Sequence, residues 1–234
     1  MLDHSRRHLS SSNGTLSSRA LTHAVHRHGL YLDFEGEGTR SGVTQCPEPH
    51  LAGVYRPAVE SSVGGAYTVY LFNKSWRPVK NGAAYGAVEA NIKEFLWGLI
   101  AEATNEDRTI YYWTEHEHSV VRSLGCPRLL AAFEEVSLNV KPVARRKINR
   151  KKLPLSDEDP KMLNNYLRAL KPNLPAVSSP KIGPAESCRR IDRYCSRLTR
   201  WRRWDQRQKD VAAALIEYNR EDCLALYRVA KAVL

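Results

Sequence analysis

The stretch GLYLDFEG, residues 29–36, decides how the rest of the chain is read. It is short, apolar at most positions and closed by the glycine-rich GEG, the pattern of a strand that runs into a turn. Side chains alternate along a strand, so Asp33 and Glu35 share one face while Leu32 and Phe34 take the other. Two carboxylates this close, at the end of an apolar strand, repel each other and resist ionisation unless a cation lies between them. A hard divalent ion with oxygen ligands, Mg2+ or Mn2+, resolves that conflict. A solvated polar edge resolves it as well, and the D-F-E triplet by itself does not choose.

Working outward, a loop with Pro47 and Pro49 leads to strand candidates at 51–55 and 66–72, the second (AYTVYLF) rich in aromatic and β-branched residues. Three strands with short links predict an antiparallel meander. Over 86–104 the residues Val88, Ile92, Phe95, Leu96, Leu99, Ile100 and Ala103 recur at helical spacing. A strand at 109–114 (TIYYWT) follows, then a short helix over 117–124 stopped by Gly125 and Pro127, and another over 128–136. Helices are also expected at 161–170, 188–204 and 208–233, with a fifth strand somewhere in 132–180. This order predicts an α/β fold with a mixed sheet, its first three strands antiparallel and the later ones parallel, flanked by helices. Residues 1–27, rich in Ser, Arg and His, read as a flexible arm with a short helix near Leu21. The domain proper spans 28–234 and includes a basic, partly irregular insertion over about 137–205.

Two further acids stand out. Glu117, in the string Glu115-His116-Glu117-His118, falls where a strand gives way to a helix, a place that suits a carboxylate facing the sheet's end as well as a solvated or capping acid. Neighbouring residues diverge on either element, so His116 and His118 are expected at the surface. In the last helix Val211, Leu215, Tyr218, Asp222, Ala225 and Val229 follow a 4-3-4-3-4 spacing, one core-facing stripe. Asp222 inside that stripe needs a partner, because burying a lone carboxylate is costly, and a cation held by Asp33 and Glu35 would supply one.

The net charge of +11 is concentrated in two places. Segment 145–152 (RRKINRKK) holds six positive charges and no acid, and segment 189–209 holds nine against Asp192 and Asp205, so the remainder is slightly acidic. Such patches fit a polyanion. In 189–209, Arg193, Arg197, Arg200 and Arg207 recur at helical spacings of three, four and seven, giving one basic stripe. Arg203 adds a further cation for the phosphates. Tyr194, Trp201 and Trp204 serve equally as stacking platforms for bases or as core residues. Nothing here reads a base sequence, so little sequence specificity is expected. Five scattered cysteines without a C-x-x-C pair argue against a disulfide framework or a zinc site. No stretch approaches the roughly 18 apolar residues of a membrane span, and the N-terminus lacks a secretory core, which sets the expectation of a cytoplasmic protein.

Together, YLDFEGEG, YYWTEHEHSVVRSL and LIEYNREDCLALYRV resemble the three motifs of the DEDD exonuclease superfamily in its Tyr-containing branch. The nearest likeness is to the predicted RecB-associated and YprB-type ribonuclease-H-like nucleases. The resemblance covers roughly residues 29–125 and 205–233. The second motif of the superfamily normally carries Asp where this chain has Glu117, with Glu115 as a rival. The resemblance implies a ribonuclease-H-like sheet and a two-metal site with Mg2+ or Mn2+. Asp33 would bridge both ions, Glu35 and Asp222 would complete the first, Glu117 would hold the second, and Tyr218 would orient the attacking water. It implies a 3′-to-5′ exonuclease acting on single-stranded DNA or RNA ends and, by association only, work in DNA repair, recombination or mobile-element defence. The competing expectations are a catalytically silent nucleic-acid-binding module and a structure-selective endonuclease.

Overall fold

The computed structural model describes residues 29–38, 46–58, 65–82, 86–155, 162–171 and 182–234. The arm expected over residues 1–27, with its short helix near Leu21, lies outside them. Strand β1, Gly29–Glu35, is the sheet's centre. It pairs antiparallel with β2, Leu51–Arg56, which pairs antiparallel with β3, Ala66–Leu71. On its other side β1 pairs parallel with β5, Thr109–Tyr112, and β5 pairs parallel with β6, Ser137–Asn139. A two-residue strand β4, Val88–Glu89, closes the far edge parallel to β3, giving the order β4-β3-β2-β1-β5-β6. This is the expected mixed α/β sheet, antiparallel and then parallel, and it is consistent with a ribonuclease-H-like layout.

Helices cover both faces. On one face lie α2, Ile92–Asn105, with α3, Glu115–Ser123, and α4, Pro127–Val136. There Leu30, Leu32 and Phe34 of β1 join Phe95, Leu96, Leu99, Val120, Leu129 and Phe133 in one core. On the other face lie α5, Val140–Lys151, α6, Leu163–Leu170, α7, Pro184–Arg197, and α8, Gln206–Val233. A short α1, Arg77–Gly82, follows a 3-10 turn at Lys74–Trp76. The 28 residues of α8 make a rod about 42 Å long. Its second half packs with Tyr31, Tyr55 and Tyr111, and its first half with Leu51, Val69, Leu71 and Trp76. The acidic face of β1 therefore lies beneath α8, between two apolar clusters.

The elements differ from the sequence reading in ways with local causes. The helix expected over 86–104 starts at Ile92, because the Asn91 side chain accepts from the backbone N–H groups of Lys93 and Glu94, and Val88 is freed to enter β4. The missing fifth strand is β6, three residues wedged between two helices. The helix expected over 188–204 stops at Arg197, and a separate 3-10 turn at Trp201–Arg203 leads to Asp205, which caps α8 in a box with Gln208. The arginines of the basic stripe are divided among elements: Arg193 and Arg197 belong to α7, Arg200 and Arg203 to the connection and Arg207 to α8, all exposed. The described parts of 137–205 are mostly helical. Among the described residues no helix is long and apolar enough to cross a membrane.

Candidate metal centre

The β1 register sets Asp33 opposite Gly53 and Glu35 opposite Leu51 on β2. One turn after Tyr218, α8 lowers Asp222 onto the same patch. Ligand oxygens of Asp33, Glu35 and Asp222 lie within 4.8 Å of one another. The stripe on α8 faces as expected: Val211, Leu215, Ala225 and Val229 are buried, while Tyr218 and Asp222 keep partial access to a cavity of about 510 Å³ that all three acids line.

The electrostatics are those of acids crowded together in a buried place. Burial, then the Glu35, Asp222 and Glu117 carboxylates, push Asp33 well above the usual carboxylate range. Burial and Asp222 do the same to Glu35. Burial raises Asp222 to about 6, offset in part by the hydrogen bond from the Tyr218 hydroxyl. Asp33, Glu35, Glu117 and Asp222, with the exposed Glu115 also lining the cavity, form a donor set for hard cations, and a divalent ion would offset both the burial and the repulsion that raise the buried four. The residues present therefore fit the ions that the sequence resemblance implies.

Glu117 lines the same cavity, 3% exposed, at the third position of α3. Its Oε2 accepts from the Thr114 backbone N–H at 3.0 Å and the Thr114 hydroxyl at 2.9 Å, so it also closes the helix cap. Burial lifts it to about 7 against those bonds. Its rival Glu115 is exposed and accepts from the Asn139 side chain at 2.9 Å. Of the two, Glu117 is the acid whose charge reaches Asp33 and Glu35. The histidines beside it are not surface residues. His116 is partly buried on the cavity wall, its pKa lowered by burial, and His118 is 12% exposed and 2.7 Å from Glu134.

Three residues of the centre, Asn219, Tyr67 and Gly53, carry no role in the sequence analysis, although Asn219 lies inside the quoted stretch LIEYNREDC. Asn219 is fully buried and donates from Nδ2 to Asp33 Oδ2 at 2.6 Å and to the Asp33 carbonyl at 3.2 Å. Its Oδ1 accepts from the Tyr67 hydroxyl at 2.8 Å. Gly53 makes room for it: a Cβ there would fall 1.8 Å from Asn219 Oδ1. The signal was available, since Asn219 follows Leu215 by one helical turn and a polar residue on the buried flank needs partners.

A second set, Glu37, His50 and Asp192, also brings ligand atoms within 4.8 Å. Asp192 is already engaged: Oδ2 meets His50 Nε2 at 2.7 Å, and Oδ1 accepts from Trp76 Nε1 at 2.6 Å and Asn73 Nδ2 at 3.0 Å. That cluster clamps α7 to the start of β2 and to the 3-10 turn after β3. The stacking platforms anticipated near it are engaged in packing. Trp204 is buried, its indole N–H donating to the Leu198 carbonyl at 3.0 Å. Trp201 lies half-buried over Gly82, 5.1 Å from the Trp204 ring. Arg193 pairs with Glu186 at 3.2 Å, as do Arg189 and Arg190 at 3.0 and 2.9 Å. Comparison of the chain with protein-family models, with curated proteins and with solved structures finds no match.

Proposed function

We propose that this protein is a metal-dependent nuclease that hydrolyses phosphodiester bonds, acting as a 3′-to-5′ exonuclease on single-stranded DNA or RNA ends. The observation that carries this reading is the meeting of Asp33, Glu35 and Asp222 within 4.8 Å beside a cavity that Glu117 and Tyr218 also line. Asp33, Glu35 and Asp222 would hold one Mg2+ or Mn2+, and Glu117, with Asp33, a second. Such ions, when bound, lower the pKa of water and stabilise the attacking and leaving oxygens of a phosphoryl transfer. The chain's own part is to orient and neutralise. Tyr218, anchored on Asp222, presents its hydroxyl at the cavity to align the attacking water. The exposed Arg197, Arg200, Arg203 and Arg207 supply positive charge to hold the phosphate backbone without reading bases.

The test is degradation of a 3′-labelled oligonucleotide with Mg2+ or Mn2+, using wild type, Asp33→Ala and Asp222→Ala. Loss of cleavage in both variants supports the reading, and undiminished cleavage refutes it. Cleavage of a circular single strand would assign the centre to an endonuclease. Salt-dependent binding without cleavage under either ion would assign the chain to the binding-module class.

A further inference from the structure

We propose that Asn219 is a positioning residue of the carboxylate centre, fixing Asp33 in the orientation in which it shares a cation with Glu35 and Asp222. The proposal rests on the metal-dependent reading above. An Asp side chain turns freely about its last torsion, which is broad and two-fold, so burial alone does not present a chosen oxygen to a ligand. Asn219 grips Asp33 twice, at the Oδ2 carboxylate oxygen (2.6 Å) and at the residue's own carbonyl (3.2 Å), which ties side chain to strand. A side-chain amide can face a carboxylate with either end, and only the NH2 end attracts it. The Tyr67 hydroxyl, donating to Asn219 Oδ1 at 2.8 Å, commits that end as acceptor and turns the donor to Asp33.

The sheet is built to admit this contact. Gly53 sits directly across from Asp33 on β2, and Val69 of β3 across from Gly53, with Tyr67 two residues along. Any side chain at position 53 would occupy the space of the amide oxygen. Adjacent strands β1, β2 and β3 thus each contribute one part, the carboxylate, the gap and the hydroxyl, to receive one residue of α8. An outer partner that orients a ligating side chain typically changes metal affinity by about 10- to 100-fold when removed.

Mn2+ titration calorimetry on the full chain, comparing wild type with Asn219→Leu and Tyr67→Phe, tests this. Asn219→Leu keeps the volume and removes the donor, and Mn2+ affinity should fall about 10- to 100-fold. Tyr67→Phe removes one hydroxyl that does not touch Asp33, and affinity should fall about threefold. A residue that served the fold alone would lower the melting temperature and leave the Mn2+ affinity of the folded protein unmoved. If Asn219→Leu does not fold, Tyr67→Phe carries the test. Wild-type affinity in whichever variants fold overturns the proposal while leaving the metal centre standing. A wild-type chain that binds no Mn2+ overturns the metal reading and this inference with it.

Discussion

Replacing Glu117 by Gln should stabilise the metal-free protein, and the gain should grow with pH. Burial holds the Glu117 carboxyl at about 7 instead of 4.5. At about 1.4 kcal/mol per pH decade, that displacement corresponds to about 3 kcal/mol once the group is ionised in both states. The folded pKa is raised, so the penalty is absent below about 4.5, grows as pH rises and is complete above about 7. Gln keeps a carbonyl that can accept from the Thr114 N–H and hydroxyl, so the cap of α3 survives while the charge is lost. The variant should gain about 1 kcal/mol over wild type at pH 5 and about 3 kcal/mol at pH 8. Urea unfolding in EDTA reads this as a midpoint shift of about 1 M at pH 8. His116, whose pKa is lowered by burial, works in the opposite direction in both proteins and so drops out of the comparison. A variant no more stable than wild type at pH 8, or one whose gain is the same at both pH values, would show that charge at Glu117 is not the source of the strain.

Asp192→Ala should cost about 2–4 kcal/mol in urea unfolding, since it strands the Trp76 indole N–H and His50 Nε2 together; an unchanged midpoint would show the clamp to be idle. Gly82→Ala brings a Cβ within 2.0 Å of the Trp201 ring, so it should cost about 1–3 kcal/mol and shift the tryptophan emission; native emission and stability would contradict that packing. Joint replacement of Arg200, Arg203 and Arg207 by Ala should weaken binding to a single-stranded oligonucleotide. It should also flatten the slope of log affinity against log salt by about 0.7 for every phosphate that is no longer neutralised, and an unaltered slope would remove these arginines from the interface.

The parts of the fold readable from the chain were those whose pattern is long enough to name its own face. Asp33 and Glu35 alternate with Leu32 and Phe34 in β1, and the α8 stripe places Asp222 toward the sheet; both follow from backbone periodicity. Strands β4 and β6, two and three residues long, carry no period, and their pairing is dictated by β3 and β5. The break after Arg197 escaped because the basic residues continue at helical spacing, while the chain instead turns to bury Trp204. The capping box Thr114–Glu117 was legible as T-x-x-E, but its double use, closing a helix and facing the cavity, depends on where α3 meets the sheet. Asn219 and Gly53 make sense only as a pair, and nothing in a linear chain announces that a glycine and an asparagine so far apart share one space.

That α8 follows every other described element sets a schedule for biosynthesis. Asn219 lies 186 positions beyond Asp33, an interval of roughly 10–40 s at ordinary ribosomal speeds. Throughout it the emerging chain carries the acidic strand without Asp222 or the Asn219 amide, so the cluster of carboxylates is complete only once the closing helix docks.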